Sequence, residues 1–155
     1  MRILEIDTSA YNNWVRYTPE SLLADYSEYK HKENSKWQGR AREIGARWPL
    51  FDSQDEFRQS LDASPIVKID RISGVHNLTK NNSIDSIKVM VGTYVLPRNV
   101  DRIVQGLQSN AQLPLPIILQ GSRGMWIMAG NTRQATSRVL GVEPRALLVD
   151  VSDNP

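Results

Sequence analysis

Four adjacent residues, Gly130, Asn131, Thr132 and Arg133, combine the groups that bind a small anion. They follow an apolar run typical of a strand and precede a segment with helical periodicity. The first N–H groups of a helix lack partners within it and carry the positive end of its dipole. Glycine admits a ligand close to the backbone, the asparagine and threonine side chains orient it, and the arginine fork neutralises it. This turn therefore predicts a phosphate site.

The same residues also have an ordinary structural interpretation. In it, Asn131 or Thr132 only caps the helix, Gly130 only permits the turn, and Arg133 extends into solvent. Each residue taken singly fits this second interpretation better. Their combination on one strand-to-helix turn favours the anion site.

The elements that must position this turn indicate a mixed α/β domain over residues 63–155. "SPIVKIDRIS" is typical of a strand, and "GVHNLTKNNS" is a polar loop. The ambiguous "IDSIKVMVGTYV" favours a strand from Lys88 to Val95. The remaining predictions are helices at 98–109 and 131–140, with Gly141 as a stop, and strands at 115–119, 125–128 and 145–150.

Residues 1–62 form a helical N-terminal extension in this interpretation. Thr18 and Pro19 start one helix, and Ser53 with Glu56 is a capping box that starts another. Between them, an apolar stripe recurs at helical spacing: Trp37, Ala41, Ile44 and Trp48. Such a stripe does not stay exposed to water, so we expect it to pack on the domain or on a second copy of the chain in a homodimer.

Composition excludes several classes of protein. The 155 residues include no cysteine, which removes disulfides, thiolate catalysis and cysteine-ligated zinc. With two histidines and no paired acidic motif, no metal site is expected. No apolar run is long enough for a membrane span, so the chain is expected in the cytoplasm, without a membrane partner. The net charge of +2 is too small to indicate nucleic-acid binding by itself.

The segment from about Arg98 to Val151 resembles the ParB/sulfiredoxin-like family, which includes the ParB-like nuclease domains. "NVDRIVQGLQSNAQLPLPIILQ" is similar to the helix of that family and its Pro-Ile strand, at Pro116 and Ile117. "MWIMAGNTRQATSRVLG" is similar to its Gly-x-x-Arg turn and helix, with Gly130 and Arg133 at the matching positions.

The resemblance implies an α/β fold whose phosphate-binding turn takes a nucleotide or DNA. ATP or CTP with Mg²⁺ is the implied cofactor. The implied activities are nucleotide hydrolysis, phosphoryl transfer, or a nuclease step in DNA processing or modification. Because no helix-turn-helix pattern is recognisable, binding to a specific operator is not expected.

This sequence departs from the family pattern around the turn. Asn131 stands where sulfiredoxins have their cysteine, which excludes that chemistry. Asn131 and Thr132 replace an acidic–basic pair of the partition proteins, and Ala129 replaces an acidic residue of the kinase-like members. Acid–base or Mg²⁺-binding groups must then come from elsewhere. Three aspartates are candidates by residue type: Asp70, Asp85 and Asp101.

A second polar cluster, "HNLTKNN", follows the first strand of the domain. The family often places a phosphate-facing loop near this point, so Asn77 and Lys80 are candidates to face Arg133. The alternative is a solvated surface loop, and Arg123 at the hairpin tip is expected in solvent. The alternative for the whole chain is a non-catalytic DNA- or protein-binding module that retains the fold.

Overall fold

The computed structural model describes residues 12–31, 36–93 and 99–153, and they form a mixed α/β fold. The helices are α1 (Pro19–His31), α2 (Lys36–Ile44), α3 (Gln54–Ala63), α4 (Ile84–Val91), α5 (Val100–Gln108) and α6 (Asn131–Val139). The strands are β1 (Trp14–Val15), β2 (Ile66–Lys68), β3 (Val75–His76), β4 (Leu113–Pro114), β5 (Ile117–Gln120), β6 (Met125–Ala129) and β7 (Arg145–Asp150).

The main sheet has five strands in the order β2-β7-β5-β6-β3. It is mixed, because β7 runs parallel to β5 and β6 runs parallel to β3, while the other neighbours are antiparallel. β5 and β6 form the predicted hairpin, closed by a 2.9 Å hydrogen bond from the Gly121 N–H to the Gly124 carbonyl. Separately, β1 and β4 form a short parallel pair.

Helix signals in the sequence correspond to real caps. The Ser53 hydroxyl accepts a hydrogen bond from the Glu56 N–H at 3.1 Å, as the capping box predicts. The Thr18 hydroxyl likewise accepts from the Ser21 N–H at 3.0 Å, at the start of α1. Gly141 follows α6 with a φ of +79°, the left-handed conformation that ends many helices.

The predicted strand from Lys88 to Val95 is wrong. Residues 84–91 form helix α4, and the Ser83 hydroxyl caps it by accepting from the Ser86 N–H at 3.1 Å. Ile87 and Val91, one helical turn apart, are buried among residues of α5 and α6. The apolar residues of this segment fit both the strand period and the helix period, and packing against α5 and α6 selects the helix. The predicted strand's last residues, Tyr94 and Val95, lie outside the described residues.

The first strand of the domain is shorter than predicted. β2 ends at Lys68, and Ile69–Arg71 turns into a short 3-10 helix that buries Ile69. The loop that follows contains β3, a two-residue strand at the sheet edge that its polar sequence did not reveal.

The extension covers one face of the sheet. Trp37 of α2 meets Trp126 of β6 edge to face, with ring centroids 5.1 Å apart. Ile44 is fully buried, and Trp48 packs against the same core, so the predicted packing of this stripe onto the domain is confirmed. Residues of both parts contribute to one hydrophobic core. The boundary near residue 63 therefore marks a change in sequence composition, and the two parts do not have separate cores.

Helices α4, α5 and α6 pack on one another. Their shared core contains Ile87, Val91, Val100 and Ala135. Polar residues of α6 are buried as well: Gln134, Thr136 and Ser137 are fully inaccessible. The helix that opens at the predicted anion site is therefore enclosed along most of its length, which fixes the direction of its N-terminus.

Candidate functional site

The turn between β6 and α6 is built for a glycine. Gly130 is the N-cap of α6, with φ +82° and ψ +16° in the left-handed region. A Cβ at this position would lie 2.6 Å from Cα of Pro116, where no side chain fits. Both the conformation and the close approach require glycine. Because glycine has no side chain, no N-cap side chain covers the first N–H groups of α6.

Arg133 folds back over this helix N-terminus. Its Nε donates a 2.9 Å hydrogen bond to the carbonyl of Pro114. Its Nη2 lies 2.9 Å from the point that a Cβ of Gly130 would occupy. The guanidinium thus lies beside the positive end of the helix, where its predicted role requires it, and Arg133 lines a cavity there.

Thr132 is the most deeply buried of the four predicted site residues that line the cavity. It is 6% exposed. Its side chain lies on the cavity wall beside Gly130 and Arg133. A hydroxyl at this place can donate a hydrogen bond to an oxygen atom of a bound ligand.

Asn131 links the turn to the loop that contains Asn77 and Thr79, and it also lines the cavity. Its Oδ1 accepts hydrogen bonds from the N–H and hydroxyl of Thr79, both at 3.1 Å, and from Gln134 Nε2 at 3.1 Å. Its Nδ2 donates to the Asn77 carbonyl at 2.7 Å. The side chain thus ties the 77–79 loop to the start of α6. It therefore positions the turn, and its Nδ2 carries a second N–H that can donate to a phosphate oxygen.

Neither Asn77 nor Lys80 lines the cavity. Asn77 is exposed, has a φ of +67°, and its side chain accepts a long hydrogen bond of 3.4 Å from Arg40. Lys80 is exposed to solvent. The expected contact of this loop with the site is therefore indirect, and it runs through Asn131.

The cavity itself has a volume of about 320 Å³ and lies between the turn, α1 and α5. Its lining residues are Ser21, Ala24, Asp25, Glu28, Ile103, Met128, Ala129, Gly130, Asn131, Thr132 and Arg133. The contribution of α1 was missed in the sequence. The sequence does contain a sign of it, because the four lining residues of α1 are spaced at i, i+3, i+4 and i+7 and so share one face of a helix. Only tertiary packing shows that this face meets the turn.

The aspartates chosen by residue type lie elsewhere. Asp70 pairs with Arg138, and Asp101 pairs with Lys88 at 2.8 Å, which raises the pKa of Lys88. Asp85 is exposed in the first turn of α4. None of the three lines the cavity. The carboxylates on its wall are instead those of Asp25 and Glu28.

Searches for similar proteins found no match: no family model, no curated protein and no solved structure resembles the chain. Membership of the ParB/sulfiredoxin-like family therefore stays a prediction. Along the described ranges, no helix is both long and apolar enough to cross a bilayer. In those ranges, no group of three or more histidine, aspartate or glutamate side chains could hold a metal ion.

Proposed function

We propose that the chain binds a small phosphate-bearing ligand, a nucleotide, in the cavity at the start of α6. The observation that carries this proposal is the start of α6 at Gly130, which has no N-cap side chain and lies on the cavity wall together with Thr132 and Arg133. A helix N-terminus without an N-cap side chain, a hydroxyl and a guanidinium are donors suited to phosphate oxygens.

The size and lining of the cavity support a nucleotide. Its volume of about 320 Å³ falls at the lower end of the range of small-molecule sites, roughly 300–1,000 Å³. Ile103, Met128 and Ala129 supply an apolar part of the wall. This surface suits a base or a sugar, while the polar part receives the phosphate.

Duplex DNA fits the cavity less well than a free nucleotide. Helix α1 forms one wall and places Asp25 and Glu28 on it. A duplex presents a continuous row of phosphates along a broad surface, whereas a small concave site admits a compact ligand. A mononucleotide enters the concave site with a single phosphate chain, so it is the ligand that this geometry favours.

Whether the site also catalyses a reaction is a separate question. Phosphoryl transfer needs a group to accept a proton or to hold Mg²⁺, and Ala129 before the glycine offers neither. That absence favours the second candidate, a binding module without chemistry. Asp25 and Glu28 are the titratable carboxylates on the cavity wall, so any catalytic role falls to them.

A thermal-denaturation screen tests the proposal. The probes are ATP, CTP, GTP, their diphosphates, pyrophosphate and a short DNA duplex, each with and without Mg²⁺. A ligand present at about 100 times its Kd adds roughly 2.7 kcal/mol to the free energy of unfolding. We expect a nucleotide to raise Tm, the duplex at equal concentration to raise it less, and the Arg133→Ala variant to lose the shift. No response to any probe would overturn the proposal.

A further inference from the structure

Three side chains of α6 form a row of hydrogen bonds that ends at the cavity. Arg138 donates from Nη2 to Oε1 of Gln134 at 3.3 Å, and Gln134 donates from Nε2 to Oδ1 of Asn131 at 3.1 Å. The three residues are spaced by three and four positions, so they share one face of the helix. Gln134 is fully buried, and Asn131 lies on the cavity wall. This row, the amide relay, therefore connects the guanidinium of Arg138 to the candidate site.

Neighbouring groups that can only donate or only accept fix the orientation of both amides in the relay. The backbone N–H of Thr79 donates to Oδ1 of Asn131, and the Asn77 carbonyl accepts from its Nδ2. The Thr79 carbonyl accepts from Nε2 of Gln134, and the guanidinium of Arg138 donates to its Oε1. If either amide turned over, donors would face donors and acceptors would face acceptors. The hydrogen bonds of the relay therefore all run from Arg138 towards the cavity.

The last group of the amide relay is a donor on the cavity wall. Nδ2 of Asn131 carries two N–H groups, and its bond to the Asn77 carbonyl uses one of them. The residues that the structure describes supply no acceptor for the other. In a row of hydrogen bonds that begins at a positive charge, each amide is polarised, which makes its N–H a stronger donor. Such a donor suits an oxygen that carries negative charge.

We propose that Gln134 is a positioning residue for the phosphate site, and that Asn131 donates its second N–H to a phosphate oxygen. Gln134 holds the amide of Asn131 in the donating orientation and transmits to it the polarising effect of the Arg138 charge. Asp70 pairs with Arg138 at the outer end of the relay and holds the guanidinium in place. The inference rests on the proposed function and adds a ligand chemistry to it, an anionic oxygen at Asn131.

The first test measures the Kd of pyrophosphate by calorimetry in the full chain and in Gln134→Met, whose side chain has a similar length and cannot donate a hydrogen bond. Ser137→Ala is the matched control. Ser137 is fully buried on the same helix, its hydroxyl donates to the Gln134 carbonyl at 2.9 Å, and it does not line the cavity. Both variants lose buried hydrogen bonds and therefore stability. Only Gln134→Met should weaken pyrophosphate binding, by about three- to tenfold.

A double-mutant cycle shows whether Gln134 acts through Asn131. Asn131→Ala removes the final donor and should weaken pyrophosphate binding by about tenfold or more. If the relay operates, Gln134→Met added to Asn131→Ala weakens binding no further. Two factors that multiply would show that Gln134 affects the site independently of Asn131, which would overturn its positioning role.

An NMR titration of the full chain keeps the proposal testable if a variant does not fold. Pyrophosphate should shift downfield the side-chain amide proton of Asn131 that is not bonded to Asn77, because this proton gains a charged acceptor. Binding without that shift, or an equal Kd in Gln134→Met and Ser137→Ala, would overturn the amide relay and leave the phosphate site standing. If pyrophosphate did not bind the full chain, the phosphate site would fail, and this inference with it.

Discussion

Gly130 and Pro116 are in direct backbone contact, since a Cβ on Gly130 would fall 2.6 Å from Cα of Pro116 and 2.8 Å from its Cβ. This contact brings the residue before β5 against the turn that follows β6. The contact therefore fixes where the first turn of α6 lies relative to the strands of the sheet. The geometry of the candidate site therefore depends on the absence of one methyl group.

Gly130→Ala should destabilise the protein by at least about 2 kcal/mol, from strain at positive φ and from the clash with Pro116. Gly74→Ala is the matched control, because Gly74 has a φ of +76° and open space where a Cβ would lie. It should lose only the strain, about 1–2 kcal/mol. Urea denaturation measures both, and equal losses would show that the Pro116 contact is unimportant.

Tyr29 anchors helix α1 to the segment after α2, within the extension. It is fully buried, and its hydroxyl accepts hydrogen bonds from the Leu50 N–H at 2.9 Å and the Phe51 N–H at 3.3 Å. Tyr29→Phe would leave these buried N–H groups without their acceptor, at a cost of about 1–3 kcal/mol in unfolding free energy. Chemical denaturation measures it, and an unchanged midpoint would contradict this role.

The same tyrosine predicts a loss of stability at alkaline pH. Burial raises the pKa of Tyr29 above its ordinary value of 10.0. The unfolded chain then ionises first, so this contribution to stability is complete below pH 10 and declines as pH rises through the folded pKa. Tyr29→Phe should show a smaller decline above pH 10 than the full chain. Part of the decline that remains in this variant comes from Tyr17, because its hydrogen bond to Asp62 raises the pKa of Tyr17.

Removing the extension should abolish independent folding of the remainder. A chain beginning at Ser64 would expose the sheet face that Trp37, Ile44 and Phe57 now cover. We expect it to aggregate or to melt without a cooperative transition, because an apolar face of that size is not stable in water. Calorimetry decides: a cooperative melt close to that of the full chain would show that residues 64–155 are self-sufficient.

The sequence was informative wherever local chemistry determines structure. The turn at Gly130, the hairpin around residues 121–124 and the cap at Ser53 combine a special residue with a clear period, so they were predictable. In α4, isoleucine and valine satisfy both a strand and a helix pattern. There, burial of Ile87 and Val91 among α5 and α6 residues makes the choice, and no local signal carries that information.

From the sequence, only the part of the candidate site that belongs to the turn between β6 and α6 could be predicted. Gly130, Thr132 and Arg133 were found because they are neighbours in sequence and meet at the cavity. Asp25 and Glu28 lie about 100 positions away, and only the packing of α1 against the turn brings them there. The hydrogen bonds of Asn131 to Thr79 and Asn77 could not be predicted either, because they also come from tertiary contact.

The most direct test of the central claim is the affinity of Arg133 variants for the nucleotide that raises Tm most. Arg133→Ala should weaken binding by roughly 1.5–3 kcal/mol, the value of a hydrogen bond to a charged group. Arg133→Lys, which keeps the charge but loses the planar fork, should weaken it less. The lost bond to the Pro114 carbonyl should by itself lower the unfolding free energy by about 1 kcal/mol. Unchanged affinity in a clearly destabilised Arg133→Ala protein would contradict the phosphate site.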